Sequence, residues 1–447
     1  MDTPDHKPIA RRGFIATMLA AGAAPMFIPA RLLGAEAPSK TLHLGCIGVG
    51  RMGAANLVGA IGLGKNHGSR VVAVCDVDRI RAEAARDKAE IMMREIHGAN
   101  HGKVRIYPSY RELIANGDID GVIISTPDFS HVHIALEAAR AGKGIYLEKP
   151  LTYSIPEGQA LVKAVRKHGV VLQTGSQQRS SLYFHRVCWL ARNGRIGEIR
   201  EIEVTLPLDS GHGSAAAAPV PENLDYTGWM GCTPDQPYTV DRCHPQGAKE
   251  INTRPGWMQI SDYARGNVSN WGAHNYDMAQ WALGTDHDSG PVEIQAVGDF
   301  PDRGLFNVHT RFNATARYAN GAVLKSGSGN VGTVRITGSE GWLEVQRGGF
   351  KAGNPEILRE QPTGGIELAT SPNHMGDFID CLRSGKEPVA PVEVGHRTNS
   401  ICILHHLAMV TGRTIKWDPA SETVVDDPAA AAMLHRQYRE GFELPEI

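Results

Sequence analysis

The sequence predicts an α/β chain whose amino-terminal part is a doubly wound parallel sheet. Three observations predict it: short apolar runs alternate with helical stretches from Leu42 to Gln173, a glycine-rich turn follows the first run, and an acidic residue closes the second. Leu42 to Ile47 reads as the first strand, Gly48-Val49-Gly50-Arg51-Met52-Gly53 as the turn, and Ala54 to Ile61 has helical composition. In such a turn Gly48 permits the tight bend, Gly50 lets a pyrophosphate approach the backbone, and Gly53 allows close helix-to-strand packing.

Val71 to Cys75 is the second strand, and Asp76 stands at its end, where this fold delivers a carboxylate to the ribose hydroxyls of an adenosine. A 2′-phosphate would meet a like charge there, so NAD(H) is the expected cofactor; nearby Arg79 leaves NADP(H) open. Arg79 to Ile96 reads as a long helix, Tyr110 to Asn116 as a short one, and Gly121 to Ser125 as an apolar strand of the kind parallel sheets bury on both faces. That strand ends in Thr126-Pro127-Asp128, at the carboxyl edge where open α/β sheets bind ligands, and Ser130 to Ala141 is the next helix. Ile145 to Leu147 is a strand, Ile155 to His168 a helix and Val170 to Gln173 the last strand, which sets this domain at residues 40–176. Its cofactor-facing residues are expected to be Gly48, Gly50, Arg51, Met52, Gly53, Asp76, Ser125, Thr126, Pro127, His131, Glu148 and Lys149.

With 447 residues, 42% of them hydrophobic and 21% charged, the chain is too long for one ordinary core and too apolar for disorder. The net charge of -2 is spread without a long basic block, which leaves no footprint for nucleic acid and favours a small-molecule partner. Arg11-Arg12-Gly13-Phe14-Ile15 precedes a small-residue apolar run from Ala16 to Ala30 that is short for a membrane span and holds Pro25 and Pro29. With Ala35-Glu36-Ala37 as a cleavage site, residues 1–37 read as a twin-arginine export signal, so the mature protein is expected in the periplasm with no membrane segment. The seven cysteines include no Cys-x-x-Cys and no zinc spacing, and no metal is expected. Cys46 and Cys75 fall inside strands, whereas Cys232 and Cys243 lie in a loop-like stretch where pairing stays open.

Glu148-Lys149-Pro150 closes the strand ending at Leu147, which puts Lys149 on the same rim as the glycines. Together with Gly48 to Gly53, this Glu-Lys-Pro resembles the Gfo/Idh/MocA oxidoreductases, the family of glucose-fructose oxidoreductase and inositol dehydrogenase. The resemblance continues through Gly194-Arg195-Ile196-Gly197-Glu198, Trp271-Gly272-Ala273-His274-Asn275-Tyr276-Asp277 and the stretch from His374 to Asp418. It implies an α+β domain over residues 177–447 built on a large, mainly antiparallel open sheet, a substrate held between that sheet and the Rossmann edge, and a homo-oligomer, dimer or tetramer. Alternation in Glu201 to Leu206, Val292 to Val297, Phe312 to Tyr318, Ala322 to Ser326 and Trp342 to Val345 is strand-like. Pro207 to Asn267 reads as a long irregular insertion, and loops of that length usually carry function.

The resemblance also implies that Lys149 and His274 flank the reacting carbon beside the nicotinamide. A histidine can take a hydroxyl proton while hydride leaves the same carbon, and an ammonium can polarise the oxygen or relay the proton. The family's aspartate is Asn270 here, an amide that cannot exchange protons. Read without the resemblance, His274 is a core histidine on a helix with an apolar face, and Trp229, Trp257 and Trp271 are core packing first, with a platform for a pyranose face as the alternative. Substrate contacts are expected from Lys149, Asn270 and His274, with Tyr263, His244 and Arg254 added from loop position alone. The expected function is NAD(P)-dependent oxidoreduction of a carbohydrate or polyol hydroxyl with the cofactor retained. Glycoside cleavage through transient oxidation, and a non-catalytic dinucleotide-binding protein, are the alternatives.

Overall fold

Six short strands, β1 (Leu42–Ile47), β2 (Ser69–Cys75), β3 (Arg105–Tyr107), β4 (Gly121–Ile124), β5 (Gly144–Leu147) and β6 (Leu172–Thr174), alternate with five helices in the computed structural model. The helices are α1 (Arg51–His67), α2 (Arg79–His97), α3 (Tyr110–Ala115), α4 (His131–Arg140) and α5 (Ile155–His168). The structure describes residues 41–98, 102–209, 211–246, 254–329, 332–360 and 364–447, so the twin-arginine segment lies outside the described residues. All five pairings are parallel, in the order β3-β2-β1-β4-β5-β6. Every residue of β4 and β5 is buried, as the apolar composition of doubly covered strands requires. Chain order reverses between β1 and β4, which opens the crevice above their carboxyl ends. The boundaries follow local chemistry: Gly68 in the left-handed region ends α1, and α5 starts with a Ser154–Glu157 capping box. Strand β3 was not foreseen, because three residues at a half-exposed sheet edge carry no readable period.

The second sheet has nine strands: β7 (Ile199–Pro207), β8 (Pro291–Asp299), β9 (Arg311–Tyr318), β10 (Val323–Gly329), β11 (Thr333–Gly338), β12 (Trp342–Gln346), β13 (Gly349–Ala352), β14 (Ile415–Asp418) and β15 (Thr423–Val424). Their order is β13-β12-β11-β7-β10-β9-β8-β14-β15, antiparallel except where β7 meets β10. The expected α+β domain with a large, mainly antiparallel open sheet is therefore present. All five alternating segments are strands in it, and buried and exposed positions alternate along β9 as the pleat demands.

The remaining helices are α6 (Leu182–Arg192), α7 (Tyr226–Met230), α8 (Asn267–Asn270), α9 (Gly272–Leu283), α10 (His374–Ser384), α11 (Val392–Thr411) and α12 (Pro428–Ala432). Trp189 of α6, Tyr276 of α9 and Leu404 of α11 share one core with Leu324 and Ile336 of the sheet. Helix α10 instead returns to the first domain, where Phe378 and Ile379 pack with Leu44 and Ile61. Among the described residues the insertion between β7 and α8 is largely irregular, with α7 and a 3-10 turn at Gly256–Gln259. Cys232 and Cys243 are both buried there as free thiols and form no disulfide.

Candidate active site

The glycine turn is built for a diphosphate. Gly48 takes φ 76°, and a Cβ on it would lie 2.8 Å from the Thr126 amide nitrogen. A Cβ on Gly53 would lie 1.9 Å from the Gly48 carbonyl oxygen, so only glycine lets α1 start this close to β1. The first helical bond runs from the Ala54 amide to the Gly50 carbonyl, which leaves the Arg51, Met52 and Gly53 amides at the helix start without intrahelical acceptors, a ready anion site. Asp76 accepts hydrogen bonds from the Val49 amide at 2.8 Å and the Asp78 amide at 3.0 Å, so its carboxylate staples the turn to the end of β2.

Above the strand ends lies a cavity of about 500 Å³ that runs from this turn to the second domain. Gly48, Gly50, Arg51, Met52, Asp76, Ser125, Thr126, Pro127, Glu148, Lys149, Asn270 and His274 all line it. The Glu148 carboxylate accepts from Asn56, Gln177 and the Lys149 amide, which holds the Glu-Lys-Pro segment in place. The Lys149 ammonium donates to Asn270 Oδ1 at 2.7 Å. The amide at position 270 therefore reaches Lys149, not the histidine. Burial, reinforced by the positive charges of Lys149 and Arg347, holds His274 far below the ordinary imidazole range, so its ring is neutral and able to accept a proton. Its Nδ1 has no hydrogen-bond partner among the described residues. Thr126 Oγ1 is likewise buried and unpartnered. Two orphaned polar atoms and a glycine cradle in one cavity fit a dinucleotide with a hydroxylated substrate beside it.

Helix α9 owes its position to a buried ion cluster. Arg179, on the 3-10 turn that follows β6, pairs with Asp277 of α9 at 2.7 Å and with Asp286 at 2.8 Å. Asp277 lies on the same helix as His274, so the turn leaving the first domain fixes the histidine of the second. Gln178 adds a bond to Asn275 at 3.2 Å.

Known proteins share this architecture. Residues 42–176 match the Gfo/Idh/MocA "NAD-binding Rossmann fold" domain, and residues 208–444 match its "C-terminal alpha/beta domain". The chain belongs to the Gfo/Idh/MocA oxidoreductase family. It is 32% identical over 165 residues to inositol 2-dehydrogenase of Rhizobium meliloti (strain 1021), covering 37% of this chain and 45% of that one. It is 29% identical over 193 residues to the uncharacterized oxidoreductase YrbE of Bacillus subtilis (strain 168), covering 43% of this chain and 49% of the relative. The chain thus spans about half the length of the curated relatives it matches, or less. Among solved structures, the WlbA dehydrogenase from Bordetella pertussis in complex with NADH and UDP-GlcNAcA is similar with TM-score 0.63 at 19% identity, covering 85% of this chain and 98% of that one. Aldose-aldose oxidoreductase from Caulobacter crescentus is similar with TM-score 0.59 at 20% identity, covering 84% and 100%. These structures share the fold.

Within this Gfo/Idh/MocA site several expected residues take other places. His131 does not line the cavity: its Nδ1 lies 2.9 Å from the Pro150 carbonyl and its Nε2 2.9 Å from the Thr126 carbonyl. Burial lowers it to about 4, so the neutral ring donates to one of the two and braces both loops from behind. Tyr263 is fully buried, packs on Phe129 and Trp229, and takes a hydrogen bond from Arg242, so it is core and not a substrate contact. His244 lines the cavity but at the adenosine end, 2.9 Å from Asp78 at the start of α2. Arg254 pairs with Asp209 at 2.5 Å, and Arg79 turns to Glu83 on the surface, so neither serves the site. The arginine beside Asp76 is Arg81, whose Nη1 lies 2.3 Å from where a Cβ on Gly50 would stand.

Trp229, Trp257 and Trp271 all line the cavity, and Trp229 is also buried in the core beside Tyr263, so both readings of the tryptophans hold in part. Two further residues that the sequence reading did not propose for the site join them there. Asp128 and Arg347 line it too, and Arg347 stacks on Trp271 with its guanidinium 4.7 Å from the ring centroid. Asp128 was legible from its strand-end position; nothing in the sequence singled out Arg347, which lies in the turn between β12 and the edge strand β13.

Proposed function

We propose that this Gfo/Idh/MocA protein oxidises or reduces a hydroxyl-bearing carbon of a carbohydrate or polyol with NAD(H), and keeps the dinucleotide bound between turnovers. The observation that supports retention is the roof over the adenosine end. The insertion is bolted to the β2–α2 turn by paired backbone bonds, Arg79 amide to Asn223 carbonyl and Asp225 amide to Val77 carbonyl, each 2.9 Å. Asn223 and His244 both bond the Asp78 carboxylate at 2.9 Å, and Arg81 donates to the Pro245 carbonyl at 3.1 Å. A nucleotide lying against Asp76 and Val77 leaves only when these contacts open. NAD(H) suits the site better than NADP(H), since Asp76 supplies a carboxylate, Arg79 is turned away, and Arg81 is engaged by the Asp78 carboxylate and the Pro245 carbonyl.

The bound nicotinamide supplies a hydride acceptor or donor. The chain supplies the rest: Lys149 holds the reacting oxygen with its ammonium, and neutral His274 accepts the hydroxyl proton as the carbonyl forms, returning it in the reverse direction. Asn270 orients the Lys149 side chain. Relatives named inositol 2-dehydrogenase and aldose-aldose oxidoreductase support a polyol or sugar as the substrate class.

Protein purified without added cofactor is expected to release close to one NAD(H) per chain on denaturation, read by mass spectrometry. Asn223→Ala with His244→Ala should lose that nucleotide on gel filtration. A sugar panel then reports redox change of the bound nucleotide, and dependence of product on a second sugar marks a coupled oxidoreductase, whereas turnover of a glycoside alone marks cleavage. Bound nucleotide that stays redox-silent with every sugar would sink the enzymatic reading.

We propose further that residues 1–37 direct the folded protein to the periplasm, a compartment without a free dinucleotide pool, which makes retention a functional need. Arg11-Arg12 and Ala35-Glu36-Ala37 support this. With both arginines replaced by lysine, full-length precursor should accumulate in the cytoplasm; an unchanged periplasmic yield contradicts the assignment.

A further inference from the structure

The Lys149 ammonium is largely enclosed, and its hydrogen-bond partner is the neutral amide of Asn270. An enclosed ammonium stays charged only with an anion near it. Of the carboxylates that line its cavity, Glu148 and Asp128 are the two whose charge acts on Lys149. Those of Glu148 are already committed to Asn56, Gln177 and a backbone amide. Asp128 is different. It is buried, it faces the cavity, and beyond its own backbone N–H no described residue donates a hydrogen bond to its carboxylate. Its position follows from the sheet: β4 and β5 are neighbours with Ile124 beside Leu147, so the chain just past each strand end carries Asp128 and Lys149 over the same pair of strands.

We infer that Asp128 is the counter-anion of Lys149, a positioning residue that keeps the ammonium charged when a substrate hydroxyl lies against it. The inference rests on the reaction assigned above. Burial raises the Asp128 carboxyl to about 7, opposed by Lys149 and Arg265 and assisted by Glu148. Burial lowers Lys149, opposed by Glu148 and Asp128 and assisted by Arg347 and Arg51. Above neutral pH the anionic Asp128 therefore holds the proton on Lys149, and as pH falls through about 7 that hold is lost because Asp128 itself takes a proton. No bond is made or broken by Asp128 in the reaction: the hydroxyl proton goes to His274, and Lys149 keeps its protons throughout.

The test reads the amine directly, without turnover. Nucleotide-bound protein is treated with acetic anhydride across a pH series, and the rate of Lys149 acetylation is read by peptide mass spectrometry. In Asp128→Asn the pH midpoint of Lys149 reactivity should move down by about one unit or more, the size expected for losing a nearby opposite charge. Adding Asn270→Asp to that variant should move the midpoint back up, because position 270 touches the ammonium. A purely structural role for Asp128 would not be rescued by the added Asn270→Asp. Nucleotide content and circular dichroism confirm that each variant is folded and loaded. A midpoint unchanged in Asp128→Asn overturns the inference, even if sugar turnover is present. Conversely, a shifted midpoint with no active sugar leaves the charge pair standing and removes the proposed reaction.

Discussion

Alanine at Lys149 or at His274 is expected to lower turnover by a factor on the order of 100 or more while the bound dinucleotide stays in place. The separation follows from geometry. The anchors proposed for the nucleotide are the glycine turn, the α1 amides and the roof pinned to Asp78, and neither side chain belongs to them. Lys149 and His274 face the other end of the cavity, where Asn270 and the orphaned Nδ1 of His274 lie. His274 is held neutral by burial, so its proton-accepting form persists well into mild acid, and loss of activity there does not come from its own protonation. The measurement is initial rate on a verified sugar beside nucleotide content of each variant. Parental rates in both alanine variants would remove the pair from the mechanism, whatever the fold.

Asp277→Ala is expected to destabilise the protein by about 3 to 5 kcal/mol, the usual cost of stripping one partner from a buried ion pair. Arg179 is 3% exposed and Asp277 is not exposed at all, so water cannot replace the lost carboxylate. The two carboxylates keep the guanidinium charged above its ordinary range, and without Asp277 it keeps Asp286 and a long contact to the Val389 carbonyl. Thr398 loses its acceptor as well. Because Asp277 anchors the helix that carries His274, turnover should fall along with stability. Urea unfolding followed by fluorescence, with Asp277→Asn as the size-matched control, gives the comparison. A loss below about 1 kcal/mol in the alanine variant would mean that Asp286 alone satisfies Arg179.

The first domain was legible because its signals are local. A strand of apolar residues, a turn that only glycine can make, a helix and a strand-end acid are each specified within a few residues, and hydrogen bonding along β1, β2, β4 and β5 then sets the Gly48 turn, Asp76 and Lys149 on one rim. The short edge strand β3 escaped for the same reason, since three half-exposed residues hold no period. In the second domain the alternating strands were readable, whereas β11, β13, β14 and β15 were not picked out.

The chain's own residue order decided that a diphosphate-binding turn, a ribose-side carboxylate and a lysine would share the carboxyl edge of a parallel sheet. Only the tertiary structure decided what those groups touch. Asn270 bonds Lys149 across 121 positions of sequence, and His244 reaches Asp78 across 166. Tyr263 turns into the core although it lies in the same insertion as His244. The physical reason is that the insertion is rich in glycine and proline and lacks a hydrophobic period, so nothing local dictates which of its side chains face inward. Packing against Phe129 and Trp229 buries Tyr263, and the carboxylate of Asp78 draws His244 to the adenosine end. Long-range burial and charge pairing, which no window of sequence contains, placed them.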